Sequence, residues 1–464
     1  MEFTVIPIQK PGEKAKFILF RPMKGIAFVS NRAMVEVVEA LDQGITPDQP
    51  EAIQYLQAIG FMEPDPPFSS SVRETFQPIS AVLLMTNQCQ LRCIYCYAGA
   101  GEHVKEELSF SLGKTAIDYI YDNAQKLGEE QFAISFHGGG EPVKAWKVMK
   151  ACVEYARSKP LKAEITLTSN GLWSPAQREW IIANLNGVSL SMDGSPETQD
   201  RQRPTLGGKA SSSMVLRTAA ELDRRHFPYG IRMTAIAPWS NLAEDVRYIC
   251  EHTLCQSIQV EPAFNIGRSG HAQPTPEEGQ AFMDGVLKAY ETAEAYQRKF
   301  YYAGARIGWV TDVFCSAPYN ALIVAPDGNL MTCYEVTSRE HPLAEMSTIG
   351  RIEAGEVIWD LEARARLHRL MAERRAGCRD CFCYWSCAGN CYTRAFAPGE
   401  GGHLVQGELC RVTRTLVEKL ILQRIAKGDG LWRQAAENTR SQPGQRASDG
   451  QALDYNQVKL REAA

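Results

Sequence analysis

The sequence predicts an α/β chain organised around a parallel sheet, with a small α+β module in front and a cysteine-rich region behind. Three observations carry this. Between residues 78 and 300, six apolar stretches alternate with amphipathic ones, the pattern of β/α units sharing one sheet. Residues 1–75 read as strands and a helical pair closed by a linker. Ten of the fourteen cysteines fall into two spaced groups, one within 89–96 and one spread over 315–410.

Length and composition set the frame. A chain of 464 residues suggests two to four domains. Hydrophobic residues at 44% and charged residues at 22% are globular values. A net charge of −4 gives no reason to expect nucleic acid or an anionic membrane as partner. No run of eighteen apolar residues marks a membrane span. The start, Met1-Glu-Phe-Thr-Val, lacks a basic region followed by an apolar core, so the expected compartment is the cytoplasm. There, fourteen cysteines point to metal or redox chemistry rather than disulfides. Cys152, Cys250 and Cys255 lie on helical or strand-flanking patterns and read as small buried hydrophobes.

In the front module the strand candidates are Phe3 to Ile8, Lys16 to Arg21 and Gly25 to Ser30. Ser30-Asn31 offers a cap for a helix from Arg32 to Leu41, with Met34, Val35, Val38 and Leu41 on one face. A second helix spans Glu51 to Ile59 and stops at Gly60, before the linker of Pro64, Pro66, Pro67 and serines. The central strands are expected at 79–85, 132–137, 163–168, 187–192, 230–236 and 257–262. The helices between them are expected near 110–126, 143–157, 175–184, 211–225 and 240–253. Periodicity does not decide whether such units curve into a barrel or lie as an open sheet. A closing helix is expected from Leu416 to Ile425, and beyond Gly428 the polar chain is expected to be disordered.

The loop after the first central strand is Cys89-Gln-Leu-Arg-Cys93-Ile-Tyr95-Cys96. Soft thiolates hold iron–sulfur clusters, and a [4Fe–4S] cluster takes four ligands. Three thiols leave one iron open to a non-protein ligand; the rival reading is a zinc knuckle. After the second strand comes His137-Gly-Gly-Gly-Glu141-Pro142, where glycines permit close approach to a ligand and the glutamate can accept from an ammonium. After the third comes Thr168-Ser169-Asn170-Gly171, which also reads as an ordinary turn. After the fourth, Ser191 and Asp193 point the same way, either to bond ligand hydroxyls or to cap a turn, and Arg201-Gln-Arg203-Pro204 follows. Arg232 lies in the fifth strand and needs a partner, either a ligand carboxylate or an internal acid. Residues Val260 to Asn265 end the sixth strand facing either a cofactor or a substrate.

The second cysteine group runs Cys315-x12-Gly328-x4-Cys333, then Cys378-x2-Cys381-x5-Cys387-x3-Cys391, then Cys410. Seven thiols would leave two zinc sites one ligand short, which favours clusters over zinc.

These motifs together resemble the radical S-adenosylmethionine (SAM) superfamily, and the second group resembles its SPASM extension. The resemblance covers residues 78 to about 425 and points to the peptide- and protein-maturing branch. It implies a partial (β/α)6 barrel at 78–300, a SPASM domain at 301–427 and a tail at 428–464, behind the module at 1–75. That module resembles in layout the leader-peptide recognition modules of such enzymes, which add an extended leader to a sheet edge; a plain lid or docking domain is the alternative. In a barrel of this kind the chemistry collects at the C-terminal strand ends. The resemblance further implies SAM and three [4Fe–4S] clusters. Cys89, Cys93 and Cys96 would hold the SAM-binding cluster. Gly139, Gly140, Glu141 and Pro142 would hold the SAM amino group, Ser169 and Asn170 would lie beside SAM, Ser191 and Asp193 would take the ribose, and Arg232 the carboxylate. Cys378, Cys381, Cys387 and Cys410 would close one auxiliary cluster, and Cys315, Cys333 and Cys391 would hold the other. A fourth cysteine expected near position 321 is Ala321 here, so that cluster keeps an open iron unless Cys383 supplies the ligand. Sulfatase-maturing relatives place a basic aspartate where Tyr334 stands; Glu335, next to it, is the candidate base.

The function this implies is cleavage of SAM to a 5′-deoxyadenosyl radical that abstracts hydrogen from a residue of a ribosomal precursor peptide, forming a thioether or carbon–carbon crosslink. The partners are a precursor peptide or protein and an electron donor such as flavodoxin or ferredoxin. Rivals are a maturase oxidising or crosslinking a partner protein, a peptide epimerase, a small-molecule dehydrogenase and, outside enzymes, an iron–sulfur electron carrier.

Overall fold

In a computed structural model, the six apolar runs become neighbouring parallel strands: β4 (Ser80–Leu84), β5 (Gln131–His137), β6 (Lys162–Ser169), β7 (Gly187–Ser191), β8 (Tyr229–Ala235) and β9 (Ser257–Pro262). The structure describes residues 1–8, 14–70, 72, 75–264, 274–337, 339, 341–395 and 407–434. Every residue of β4 is buried, because helices cover one face of the sheet and the barrel interior the other, whereas β7 and β9 alternate buried with partly exposed polar residues. The covering helices, Phe110–Lys126, Trp146–Arg157, Pro175–Asn184, Ser212–Arg224 and Leu242–His252, fall where the periodicity places them. Cys152, Cys250 and Cys255 are buried in this core.

The sheet runs further than the sequence pattern. β10 (Lys299–Tyr302) adds a parallel strand beside β9 and straddles the expected boundary at 300/301. β11 (Ala321–Val324) pairs in parallel with β4 on the other side. It turns through Pro326-Asp327-Gly328, with Gly328 at φ +85°, into β12 (Asn329–Met331), β13 (Thr348–Glu353) and β14 (Glu356–Trp359), all antiparallel. The eleven-stranded order β10-β9-β8-β7-β6-β5-β4-β11-β12-β13-β14 has two ends, so the curved sheet is not closed.

The front module is an antiparallel meander of β1 (Thr4–Ile8), β2 (Lys16–Arg21) and β3 (Ile26–Ser30) under two helices, Arg32–Asp42 and Pro50–Ala58. Asn31 caps the first by accepting from the Met34 N–H at 3.0 Å. Phe28, Val35, Val38, Leu56 and Phe61 fill its core. A fourth strand comes from the far end of the chain and corrects the expectation of a disordered tail from 428. Asp429 and Gly430, both at positive φ, reverse the chain after the helix Glu408–Lys427. Leu431–Arg433 then pairs with β3 as β15, and Trp432 stacks on Phe20 at 5.9 Å. Residues 435–464 of that tail lie outside the described residues.

Two long helices carried no expectation. Pro276–Ala295 starts at a capping box of Thr275 and Glu278. Leu361–Ala376 starts at Asp360, whose carboxylate accepts from the Ala363 N–H at 2.8 Å. The closing helix begins eight residues earlier than the expected Leu416, at Glu408, which puts Cys410 on its first turn.

Candidate active site

The C-terminal ends of β4 to β9 enclose one side of a cavity of about 490 Å³. Cys89, Cys93 and Cys96 stand on its wall. Their loop is held from outside by the segment after β7: Arg92 N–H donates to Pro204 O at 2.7 Å, Ile94 N–H to Gln202 O at 3.0 Å, and Leu206 N–H to Gln90 O at 2.8 Å. The Gly-rich turn packs against the same loop. Gly140 N–H donates to Thr86 O at 2.8 Å and Glu141 N–H to Gln88 O at 2.9 Å. A Cβ at Gly140 would collide with the Gln88 backbone, so this position takes glycine for want of space.

Glu141 is 2% exposed. Its carboxylate accepts from Ser169 Oγ at 2.7 Å, Asn170 N–H at 2.8 Å and Val143 N–H at 3.4 Å. Among the described residues no cation pairs with it, and burial pushes its carboxyl up to about 7. Asn170 also reaches the cluster loop: its Nδ2 donates to Cys89 Sγ at 3.6 Å. Burial, with the Glu141 charge adding, raises the Cys89 thiol to about 12. Ser191 and Arg232 face the cavity from adjacent register positions of β7 and β8. Arg232 makes no ion pair among the described residues, so the internal-acid alternative finds no partner there. Pro142 is buried at the start of a short 3₁₀ turn and does not line the cavity.

Asp193 is placed differently from Ser191. Its fully buried carboxylate lies behind the wall, paired with Arg203 at 2.9 Å and accepting from Thr234 N–H at 2.9 Å and from the Tyr95 hydroxyl. Arg203 lies over the Tyr95 ring at 5.3 Å. Asp193 thus ties the residue before Cys96 to the segment that fastens the cluster loop.

The opposite wall comes from the cysteine-rich region. Tyr334 stacks on His137 at 5.4 Å and 25°. Burial, and then the Arg232 charge, pulls the His137 imidazole down to about 4, so the ring is neutral at pH 7. Glu335 and Arg394 line the cavity too. Arg394 pairs with Glu261 of β9 at 2.7 Å and with Glu335 at 3.7 Å, and Thr393 Oγ1 donates to Glu335 at 3.4 Å. Nothing in the sequence marks Arg394 or Thr393; they reach the site because the turn after Cys391 folds against β9. Glu261 and Phe264 line the cavity, whereas Asn265 lies outside the described residues.

Behind this wall the remaining thiols gather. Cys333 feels the charge of Cys391, and Cys315 and Cys333 pack against the same small core. Burial raises the thiols of Cys378 and Cys387, with the charges of Cys381 and Cys410 adding. Cys383 turns toward this latter group: its thiol donates to Cys381, which drops to about 6. Ala321 is buried in β11. Among the described residues no three His, Cys, Asp or Glu side chains converge as on a single ion. A cubane cluster spreads its thiolates over separate irons, so this does not count against cluster ligation. The residues fit SAM and a cluster: three thiols on one wall, a buried carboxylate lacking a cation, a glycine with no room for Cβ, and a guanidinium facing the space.

A family model described as the Radical SAM superfamily matches residues 83–243. The sporulation killing factor maturation protein SkfB of Bacillus subtilis (strain 168) is 30% identical over 199 residues, 42% of this chain and 45% of the relative. The chain spans about half the length of the curated relatives it matches. Among solved structures, native anSMEcpe with bound AdoMet and Kp18Cys peptide is similar with a TM-score of 0.60 at 17% identity, over 75% of this chain and 99% of that one. Streptococcus suis SuiB bound to precursor peptide SuiA gives 0.50 at 13% identity, over 88% and 100%. At these identities the structural likeness speaks for the fold. No helix among the described residues is long and apolar enough to cross a membrane.

Proposed function

Residues 83–243 are a radical SAM domain, and from that premise we propose that the chain modifies a residue of a ribosomally made precursor peptide, joining it by a thioether or carbon–carbon crosslink. Cys89, Cys93 and Cys96 would hold a [4Fe–4S] cluster, which when reduced would supply the electron that cleaves SAM and so the 5′-deoxyadenosyl radical for hydrogen abstraction. The chain's own residues do the rest. Glu141 would receive the SAM ammonium, Arg232 its carboxylate and Ser191 a ribose hydroxyl, while Ser169 and Asn170 fix Glu141 and Asn170 also reaches Cys89 of the cluster loop. Proximity is the main contribution of the cavity, because it holds the radical carbon against one C–H bond. Glu335, at the substrate end beside Arg394, would accept the proton released when the crosslink forms, and the electron released with it would pass to an auxiliary cluster.

The observation that carries this reading is the meeting, on one cavity, of the three-thiol loop, the Gly-Gly-Gly-Glu turn and Glu335 with Arg394 from the second cysteine region. It is supported by a relative named as the maturation protein of a sporulation killing factor and by a neighbour bound to a precursor peptide. The thioether branch is favoured by Ala321 at the position of an expected ligand and by Cys383 turning toward Cys381. Both support an auxiliary cluster on Cys315, Cys333 and Cys391 with an iron open to a substrate thiol. Two further clusters, a cytoplasmic setting and a flavodoxin- or ferredoxin-like donor belong to the same proposal.

The test is anaerobic reconstitution with SAM, a reductant and a candidate precursor peptide, followed by mass spectrometry. Loss of a hydrogen pair from the peptide, located by fragmentation to a crosslink, is the expected result. An unmodified peptide alongside accumulating 5′-deoxyadenosine sinks the choice of substrate. Absence of 5′-deoxyadenosine with clusters intact sinks the radical reading.

A further inference from the structure

The segment joining the two auxiliary thiol groups has an unusual backbone. Between Cys387 and Cys391, Ala388, Gly389 and Asn390 all take positive φ, at 49°, 90° and 68°. Two of these are not glycine, so something must hold the turn against its own preference. Asn390 holds one end, its side chain accepting from Cys391 N–H at 2.7 Å. Arg374 holds the middle. It lies in the last turn of the helix Leu361–Ala376 and is 9% exposed. Its Nε donates to Gly389 O, and its Nη2 donates to Cys410 Sγ at 3.6 Å. The same side chain lines a second cavity, of about 380 Å³, together with Cys315, Tyr319 and Asn390. Its charge acts on Cys378 as well. One buried guanidinium therefore touches the closing thiol of one group, the turn between the groups, and the space beside the first thiol of the other.

We propose that Arg374 sets the reduction potential of an auxiliary iron–sulfur cluster held by Cys378, Cys381, Cys387 and Cys410, raising it through an N–H···S bond to Cys410 and a buried positive charge. This rests on the cluster reading above. Adding an electron makes a thiolate-ligated cluster more negative. A fixed cation and a donor at its sulfur stabilise the reduced form more than the oxidised one. Because outer partners also orient ligands, Arg374 is a positioning residue, and its proper readout is a potential rather than turnover.

The experiment uses the full chain with Cys89→Ala, Cys93→Ala and Cys96→Ala, so that auxiliary signals stand alone. Reconstituted protein is titrated potentiometrically and followed by electron paramagnetic resonance, with iron and sulfide measured in parallel. Arg374→Gln is expected to move one auxiliary midpoint to a more negative potential at unchanged iron content. Arg374→Lys, which keeps the charge but not the fork, is expected to fall between Gln and wild type. Exposed Arg369, on the same helix but away from the second cavity, is the control: Arg369→Gln is expected to leave the midpoint near wild type. Unchanged midpoints in both Arg374 variants overturn the proposal, as does an equal shift in the Arg369 control. If the Gln variant loses iron, the Lys variant decides, and a wild-type midpoint there overturns it. No iron–sulfur signal with Arg374 intact would instead sink the reading of the second cysteine group.

Discussion

At the scale of single residues, Glu141 has the surroundings that the proposed SAM site requires. Its carboxylate has three donors and, among the described residues, no cation, in a setting that pushes it up to about 7, against an ordinary 4.5. The folded state therefore holds a proton that the unfolded chain has already released between those values. Stability contributed by this group is present below about 4.5 and is lost as pH rises toward 7, by about 3 kcal/mol at most. Glu141→Gln should remove that slope from melts of the SAM-free protein; an unchanged slope would clear Glu141 of the effect. The same variant should weaken SAM binding roughly ten- to a hundredfold, the worth of a charge-assisted hydrogen bond, read by calorimetry. Asp193 shows the opposite case. Strand alternation puts it on the side of Ser191, but β7 ends at Ser191 and the rule ends with it. Beyond the strand end, Arg203 and Tyr95 draw the carboxylate inward.

Among elements, the long ones were legible because burial imposes a period on them. The six central strands and their covering helices sit close to the expected ranges. Apart from the 20-residue helix Pro276–Ala295, what was missed is either short or patterned by charge. β11 and β12 are four and three residues long. The helix Leu361–Ala376 carries so many arginines that its buried stripe of Ala363, Leu367 and Arg374 reads as polar. β15 is three residues within a polar stretch, yet it closes an edge of the front module. That edge at β3 is thus filled by the chain itself, and the other edge strand, β1, carries Pro7. Trp432→Ala should loosen β15 and speed hydrogen exchange at Ile26 to Phe28, with about 3–5 kcal/mol of local stability lost. SAM binding should stay unchanged, since Trp432 does not line the cavity. Exchange at wild-type rates would show that the strand adds little to the module.

Across the whole molecule, the cavity is made jointly by the radical SAM domain and the cysteine-rich region. Tyr334, Glu335, Thr393 and Arg394 close what β4 to β9 begin. The thiols from Cys315 to Cys410 sit on turns and short helices between β11–β14 and the helices Leu361–Ala376 and Glu408–Lys427, so auxiliary clusters would add to that region's cohesion. Stripping iron from reconstituted protein should make residues 315–410 the first to be cleaved in limited proteolysis, leaving the β4 to β9 sheet resistant. Equal resistance with and without iron would mean the region holds itself together. The sequence by itself determined the family resemblance and the central sheet: thiol spacing, the glycine-rich turn and the alternation of strands are local patterns, and local patterns survive in one dimension. Tertiary structure decided which side chains meet. Arg394 joining Glu261 to Glu335, Arg374 bridging two thiol groups, Asp193 turning away and Leu431–Arg433 returning to β3 all depend on contacts between residues far apart in the chain. No periodicity records such contacts, because they are chosen by where whole elements come to pack.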